Sequence, residues 1–206
     1  MASPEIILMG GPPWSGKSSI ARKFVAAGQP EGAQHFSIGN LKRDILAGRV
    51  ESDFKEQLEN GPSFDVPEGA VALDAIMGMF DEYMRRNNSP LTLVDGFPRY
   101  PNRIGPFQEL VRELGVEVLA FCEVQVDMDV LRQRATWKRR GRPEISPFEA
   151  ELRLKNHFEK IAPTFKILAE LYPYYIISSL LPIKDNVAEL QEIYRRHTFH
   201  DQVISS

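Results

Sequence analysis

A glycine-rich segment near the amino terminus has the residue types and the spacing of a phosphate-binding loop. The sequence from Gly11 to Ser18 reads GPPWSGKS and satisfies the pattern G-x-x-x-x-G-K-[ST]. Glycines let backbone N–H groups turn inward around phosphate oxygens, and a following helix offers its positive amino-terminal end. Lys17 would then reach the β and γ phosphates, and the Ser18 hydroxyl would help to hold Mg²⁺. The segment predicts a nucleoside triphosphate site; a glycine-rich turn with a solvated lysine is the alternative.

The loop lies between a strand-like and a helix-like segment, and such segments alternate along the chain. Strands are expected at 5–10, 35–38, 90–95, 117–124 and 174–179. Several are continuous apolar runs, which is typical of a parallel sheet covered on both faces. Two helical faces between them comprise Leu73, Ile76, Met77, Phe80 and Met84, and Phe107, Leu110, Val111 and Leu114. The pattern predicts one α/β domain over residues 1–206, with a five-stranded parallel sheet flanked by helices.

Composition limits the class of protein. The chain has 206 residues, a net charge of −3 and one cysteine, Cys122, so no intramolecular disulfide framework is possible. The amino terminus lacks a basic region followed by a long apolar run, and no apolar stretch has membrane-spanning length. We therefore expect a cytoplasmic protein that binds neither membranes nor nucleic acid, although a location in an organelle is an alternative. The expected state is a monomer.

Four further segments resemble those of nucleoside monophosphate kinases and occur in the same order. They are FSIGNLKRD (36–44), VPEGAV (66–71), LVDGFPRYPNR (93–103), and a lid-like region with GR at 141–142, Arg153 and Pro163. Together with the glycine-rich loop they span nearly the whole chain, and within this family the sequence resembles adenylate kinase and UMP/CMP kinase. The resemblance implies a P-loop NTPase fold and an enzyme that transfers a phosphoryl group from Mg·ATP to a nucleoside monophosphate.

The resemblance also implies which residues form the site. ATP would be bound by Gly11, Pro13, Trp14, Ser15, Gly16, Lys17, Ser18, Ser19, Arg134 and Lys138, and the monophosphate by Ile38, Gly39, Arg43, Val66, Gly96, Arg99 and Arg103. Lys17, Arg99, Arg142 and Arg153 would be catalytic. Several cations are needed because two polyanions must meet, and each close pair of like charges costs about 4 kcal/mol at an effective dielectric near 20. Arginine suits this task because its planar fork binds phosphate oxygens bidentately.

Asp95 ends the third expected strand, where its carboxylate can orient Mg²⁺ together with Ser18, directly or through water. Capping of the following turn is the alternative role.

Trp14 stands at a loop position where other such loops usually have a small residue. We therefore expect it to point away from the phosphates and to pack on the surface; covering the nucleotide is the alternative. No general base is required, because the phosphate acceptor is already an oxyanion.

Two inserts are expected within the domain. Residues 39–69 would bind the monophosphate, and residues 133–146 would form a short lid without the cysteines of a zinc-binding lid. After the lid, Ser146, Pro147 and Glu149 have the pattern of a helix start with a capping box, and Asp185 is expected to cap the last helix. A basic nucleic-acid patch is the alternative reading of the arginine-rich lid.

The sequence departs from the family pattern mainly where the acceptor base is read. Ile38 replaces a threonine, Asn40 replaces an aspartate, and Arg103 stands where adenylate kinases have the glutamine that reads adenine. Arginine offers only donors, so Arg103 would favour a base that carries a carbonyl; alternatively, it swings into solvent and backbone groups read the base. AMP is the leading acceptor, and GMP, UMP, CMP or a deoxynucleotide is second. A kinase for another metabolite and a non-catalytic nucleotide-binding module are the rival functions.

Overall fold

The computed structural model describes residues 3–60, 70–136 and 146–204. Five parallel strands form one sheet in the order β2-β3-β1-β4-β5. The strands are β1 (Glu5–Gly10), β2 (Gln34–Ser37), β3 (Leu91–Asp95), β4 (Glu117–Gln125) and β5 (Tyr174–Ser178). Each expected strand is present, with ends that differ by at most one residue, and the predicted five-stranded parallel sheet is confirmed.

Helices cover both faces of this sheet. In the described ranges they are α1 (Lys17–Ala26), α2 (Ile38–Leu46), α3 (Lys55–Asn60), α4 (Ala70–Arg86), α5 (Ile104–Glu113), α6 (Met128–Ala135), α7 (Pro147–Asn156), α8 (Ala162–Leu171) and α9 (Ile183–Ile204). A 3₁₀ turn over Pro101–Arg103 leads into α5, and a π-helical turn over His157–Ile161 joins α7 to α8. None of the helices in these ranges combines the length and the apolar composition needed to cross a bilayer.

Alternate residues of β1 serve two separate cores, because successive side chains of a strand point to opposite faces. Ile6 and Leu8 pack into a core with apolar residues of α2, α4, α5 and α8, whereas Ile7 and Met9 pack into a second core with residues of α1 and α9. Cys122 belongs to the second core and is fully buried. The continuous apolar runs therefore arise because both faces of the sheet are covered.

The helix ends follow the local sequence at one position and depart from it at another. Ser146 caps α7 by accepting a hydrogen bond of 3.1 Å from the backbone N–H of Glu149, and Pro147 is the first helical residue, as predicted. The prediction that Asp185 caps the last helix is wrong. The helix begins at Ile183, and the Asp185 N–H donates to the carbonyl of Pro182 at 2.9 Å, because Pro182 sets the helix start further upstream.

Candidate active site

A cavity of about 800 Å³ opens at the carboxyl ends of the strands. Parallel pairing brings the ends of three strands together: Met9 and Ser37 both stand opposite Asp95 in the register. In open α/β sheets this edge is where ligands bind. The cavity is lined by the glycine-rich loop, the start of α2, the segment after β3, and one side of the α7–α8 helix.

The loop between β1 and α1 has the backbone that its glycines permit. Gly11 and Gly16 have φ angles of +139° and +96°, and a Cβ at Gly11 would come within 2.7 Å of the Val124 carbonyl oxygen. Gly16 directly precedes α1, and no side chain of the described residues caps this helix. Its first N–H groups therefore remain as donors at the positive end of the helix, which is the arrangement that binds phosphate.

Three polar side chains meet at the mouth of this loop. The Ser18 hydroxyl donates to Asp95 Oδ2, and Lys17 Nζ lies 4.0 Å from Asp95 Oδ1 while donating to the Pro12 carbonyl at 3.2 Å. Burial by itself raises the pKa of Asp95, but the Lys17 charge, followed by the contacts with His35 and Ser18, outweighs it and holds that pKa below its usual range. Asp95 is therefore ionised at neutral pH. A carboxylate and a hydroxyl are oxygen donors of the kind that suit Mg²⁺, which keeps most of its other ligands as water and phosphate.

Arginines from separate elements line the same cavity. Arg99 follows β3, Arg43 lies on α2, and Arg153 lies on α7. Arg43 donates to Asn40 Oδ1, and Arg153 Nη2 lies 2.7 Å from Glu149 Oε1. The backbone carbonyl of Arg99 accepts a hydrogen bond of 3.1 Å from Thr164, which ties the segment after β3 to α8. The cavity thus gathers positive charge from three elements around Lys17.

The structure describes most of the residues expected to form the site. The cavity is lined by Gly11, Pro13, Trp14, Gly16, Lys17, Ser18, Ser19, Ile38, Gly39, Arg43, Asp95, Gly96, Arg99 and Arg153. Ser15, Arg103 and Arg134 are described but do not line it. Val66, Lys138 and Arg142 lie outside the described residues, as do parts of both expected inserts.

Arg134 lies behind the loop, with its guanidinium turned to acceptors of the protein. Nη1 donates to Ser179 Oγ at 2.7 Å and to the Ser15 carbonyl at 3.2 Å, and lies 3.4 Å from the Trp14 carbonyl. Nη2 donates to the Ser179 carbonyl at 3.0 Å. These contacts join α6, the glycine-rich loop and the segment after β5.

The positions of Arg103 and Trp14 bear on the predictions made for them. Arg103 is 1% exposed, and its Cζ lies 5.1 Å from the centre of the Tyr100 ring, so the alternative in which it swings into solvent is wrong. Arg103 stays out of solvent because its guanidinium packs on the Tyr100 ring. Its contact with the base stays a prediction.

Trp14 is half-buried, lines the cavity and has a φ of +63°. Its role also stays a prediction.

Sequence reasoning missed His157, Lys42 and Arg22, which also line the cavity. His157 is 3% exposed, and burial, followed by the charges of Lys17 and Arg99, lowers its pKa from 6.5 to about 3. The sequence could have indicated His157, because it lies four residues after Arg153 and residues at this spacing share one face of a helix.

The loop between β1 and α1, the parallel sheet and the cavity at its carboxyl edge define a P-loop nucleotide-binding α/β protein. No family model matches the chain. It is 27% identical over 194 residues to an adenylate kinase of Parasynechococcus marenigrum, covering 93% of this chain and 96% of the relative. It is 26% identical over 191 residues to an adenylate kinase of Xylella fastidiosa, covering 90% and 93%. An adenylate kinase of Nautilia profundicola is 26% identical over 140 residues, covering 66% of this chain and 69% of the relative.

These similarities extend over most of the chain and recur in several relatives of one name. The chain therefore resembles adenylate kinases, and these similarities support a nucleoside monophosphate kinase enzyme.

Proposed function

We propose that the enzyme reversibly transfers the γ-phosphoryl group of Mg·ATP to AMP and so forms two molecules of ADP. The observation that carries this proposal is the single cavity lined by Lys17 together with Arg43, Arg99 and Arg153. Cations from separate elements around one space are what two mutually repelling, negatively charged nucleotides require. The names of the relatives support AMP as the acceptor.

Each end of the cavity has a proposed role. ATP phosphates bind to the N–H groups of the loop and to Lys17, Lys138 completes the ATP site, and Arg134 acts on ATP binding by holding the loop in place. The monophosphate binds beside Ile38, Gly39 and Gly96, with Arg43 and Arg99 on its phosphate and with Val66 and Arg103 near its base. Residues 39–69 and 133–146 would act as the monophosphate-binding insert and the lid.

Ser18 and Asp95 would hold Mg²⁺, directly or through water, and the bound ion would neutralise charge on the phosphate oxygens. The chain's own residues supply the positioning. The loop fixes one phosphate chain, Arg99 directs the acceptor phosphate towards it, and Arg142 and Arg153 stabilise charge on the transferring group. As a lid, residues 133–146 would close over the site, exclude water and so protect ATP from hydrolysis.

The test is ADP production from Mg·ATP with AMP, GMP, CMP, UMP and TMP, each assayed separately. We expect AMP to be the fastest acceptor. Arg153→Ala should lower kcat by about 10³, the scale known for arginines that stabilise phosphoryl transfer, and Lys17→Ala should also remove most activity. Lys155→Ala and Lys23→Ala are the matched controls, because both are exposed and neither lines the cavity. Binding of ATP without transfer to any acceptor would instead indicate a nucleotide-binding module.

A further inference from the structure

His157 is a buried histidine in the wall of the candidate active site. It is 3% exposed and lines the same cavity as Lys17 and Arg99. We propose that His157 is a catalytic residue that hydrogen-bonds the phosphoryl group as this group passes between the ATP and monophosphate sites. The inference rests on the function proposed above and adds a contact that the arginines and the glycine-rich loop do not provide.

The helix that carries His157 changes its winding at this residue. A π-helical turn over His157–Ile161 stands between α7 and α8. Such turns add a residue to one helical turn and are frequent at functional sites. Arg153 on one side of the turn and Phe165 on the other also line the cavity. The turn therefore lies in the part of the helix that faces the substrates.

Aromatic neighbours hold the imidazole ring. Its centre lies 5.1 Å from that of Phe158, at an interplanar angle of 82°, and 5.5 Å from that of Phe165, at 59°. Both are edge or tilted contacts of the kind that fix a ring plane. Within residues 3–60, 70–136 and 146–204, the structure records no side-chain hydrogen bond to its ring nitrogens. A phosphate oxygen in the cavity would supply the missing partner.

The charges around His157 favour a neutral ring. Burial first, and then the nearby positive charges of Lys17 and Arg99, lower the pKa of His157 to about 3. A neutral imidazole has one N–H donor and one acceptor nitrogen, so it can donate to a phosphate oxygen without adding to the positive charge already present. Phenylalanine would satisfy the packing against the two rings equally well but would offer no such donor.

Two substitutions separate the hydrogen bond from the packing. His157→Phe keeps a ring against Phe158 and Phe165 but removes both nitrogens. His157→Gln loses the ring but keeps a neutral N–H donor. We expect His157→Phe to lower kcat about tenfold or more with little change in either KM, and His157→Gln to retain kcat within a fewfold of the original enzyme. Phe158→Leu, which removes a ring contact and no hydrogen bond, should leave kcat nearly unchanged.

A second measurement serves if a variant fails to fold. The ring ¹⁵N resonances of His157 in the unmodified enzyme should shift when ATP and AMP are added together. A full rate for His157→Phe, or ring resonances that do not move on nucleotide binding, would overturn the proposal. If the unmodified enzyme transfers phosphate while His157→Phe matches it, only the role of His157 fails. If the unmodified enzyme shows no transfer to any monophosphate, the proposed function itself fails.

Discussion

Arg103 is a buried cation with little in the structure to compensate its charge. It is 1% exposed, and its Nη2 has no hydrogen-bond partner among the described residues. The contact that it makes with the face of Tyr100 is worth about 2 kcal/mol when desolvated. Taking a cation out of water costs several kcal/mol, so the contact does not offset the burial. An energetic cost of this kind is characteristic of a residue retained for a purpose other than stability.

We therefore predict that Arg103→Met stabilises the enzyme in the absence of nucleotide. Methionine has a similar length and fills the same space beside Tyr100 without a charge to desolvate. The free energy of unfolding should rise by about 1 kcal/mol or more, measured by urea denaturation. Arg112→Met is the matched control on helix α5, which follows Arg103; Arg112 is exposed, and its replacement should change stability by less than about 0.5 kcal/mol. A clear loss of stability in Arg103→Met would show that the guanidinium is paired in solution.

At the level of elements, the glycine-rich loop is braced from behind by α6. Arg134 bonds to the Ser15 carbonyl and to both the hydroxyl and the carbonyl of Ser179, with distances between 2.7 and 3.2 Å. A bond to a loop carbonyl fixes the loop without using any of its N–H donors. Guanidinium is suited to this because its fork supplies several donors in fixed directions.

Removing this brace should weaken ATP binding more than it slows transfer. For Arg134→Met we expect the KM for ATP to rise about tenfold, a loss of roughly 1.4 kcal/mol, with a smaller effect on the KM for the monophosphate. Arg132→Met is the control on the same helix: Arg132 pairs with Glu151 at 2.7 Å, and its side chain is half-exposed. Steady-state kinetics with each substrate varied in turn measures both constants. If Arg134→Met and Arg132→Met have equal KM values for ATP, Arg134 does not support the loop in its ATP-binding conformation.

The sequence predicted those elements whose causes are local. The glycine-rich loop, the strands and the Ser146 cap depend on residue types at short spacing, and the structure has each of them. Burial of Arg103 and of His157 depends on how the folded elements pack around them. Arg103 packs on a ring that a 3₁₀ turn brings beside it, and the π-helical turn that begins at His157 is a change of winding that a regular helical period does not reveal. A sequence pattern alone predicts neither the burial of Arg103 nor the π-helical turn.

On the scale of the whole molecule, the sheet separates two cores, and the candidate active site lies at the carboxyl edge of the sheet, beside both cores. The core of α4, α5 and α8 continues directly into the cavity wall, since Phe121, Phe165 and Leu168 belong to both. His157 packs on Phe165 at this boundary. A change in the charge of His157 therefore acts on the apolar core as well as on the site, and it should affect global unfolding.

We predict that His157 makes the enzyme less stable in mild acid. Its pKa is lowered to about 3 in the folded state by burial and by Lys17 and Arg99, whereas the ordinary value of 6.5 applies to the unfolded chain. Between these two values the unfolded chain binds one more proton, so the contribution of this group is complete above pH 6.5 and declines as the pH falls towards 3. The slope is at most about 1.4 kcal/mol per pH unit.

The measurement is the free energy of unfolding of the nucleotide-free enzyme between pH 7 and pH 4.5, compared with that of His157→Phe. Other groups titrate equally in both proteins, so the difference between the two curves isolates His157. The variant should lose less stability on acidification, and the two curves should converge or cross as the pH falls. His35→Phe does not serve as a control, because His35 Nε2 lies 3.6 Å from Asp95 Oδ2 and contacts the site's own carboxylate. Curves that stay parallel across this range would mean that His157 has an ordinary pKa in the folded enzyme and that Lys17 and Arg99 do not act on it.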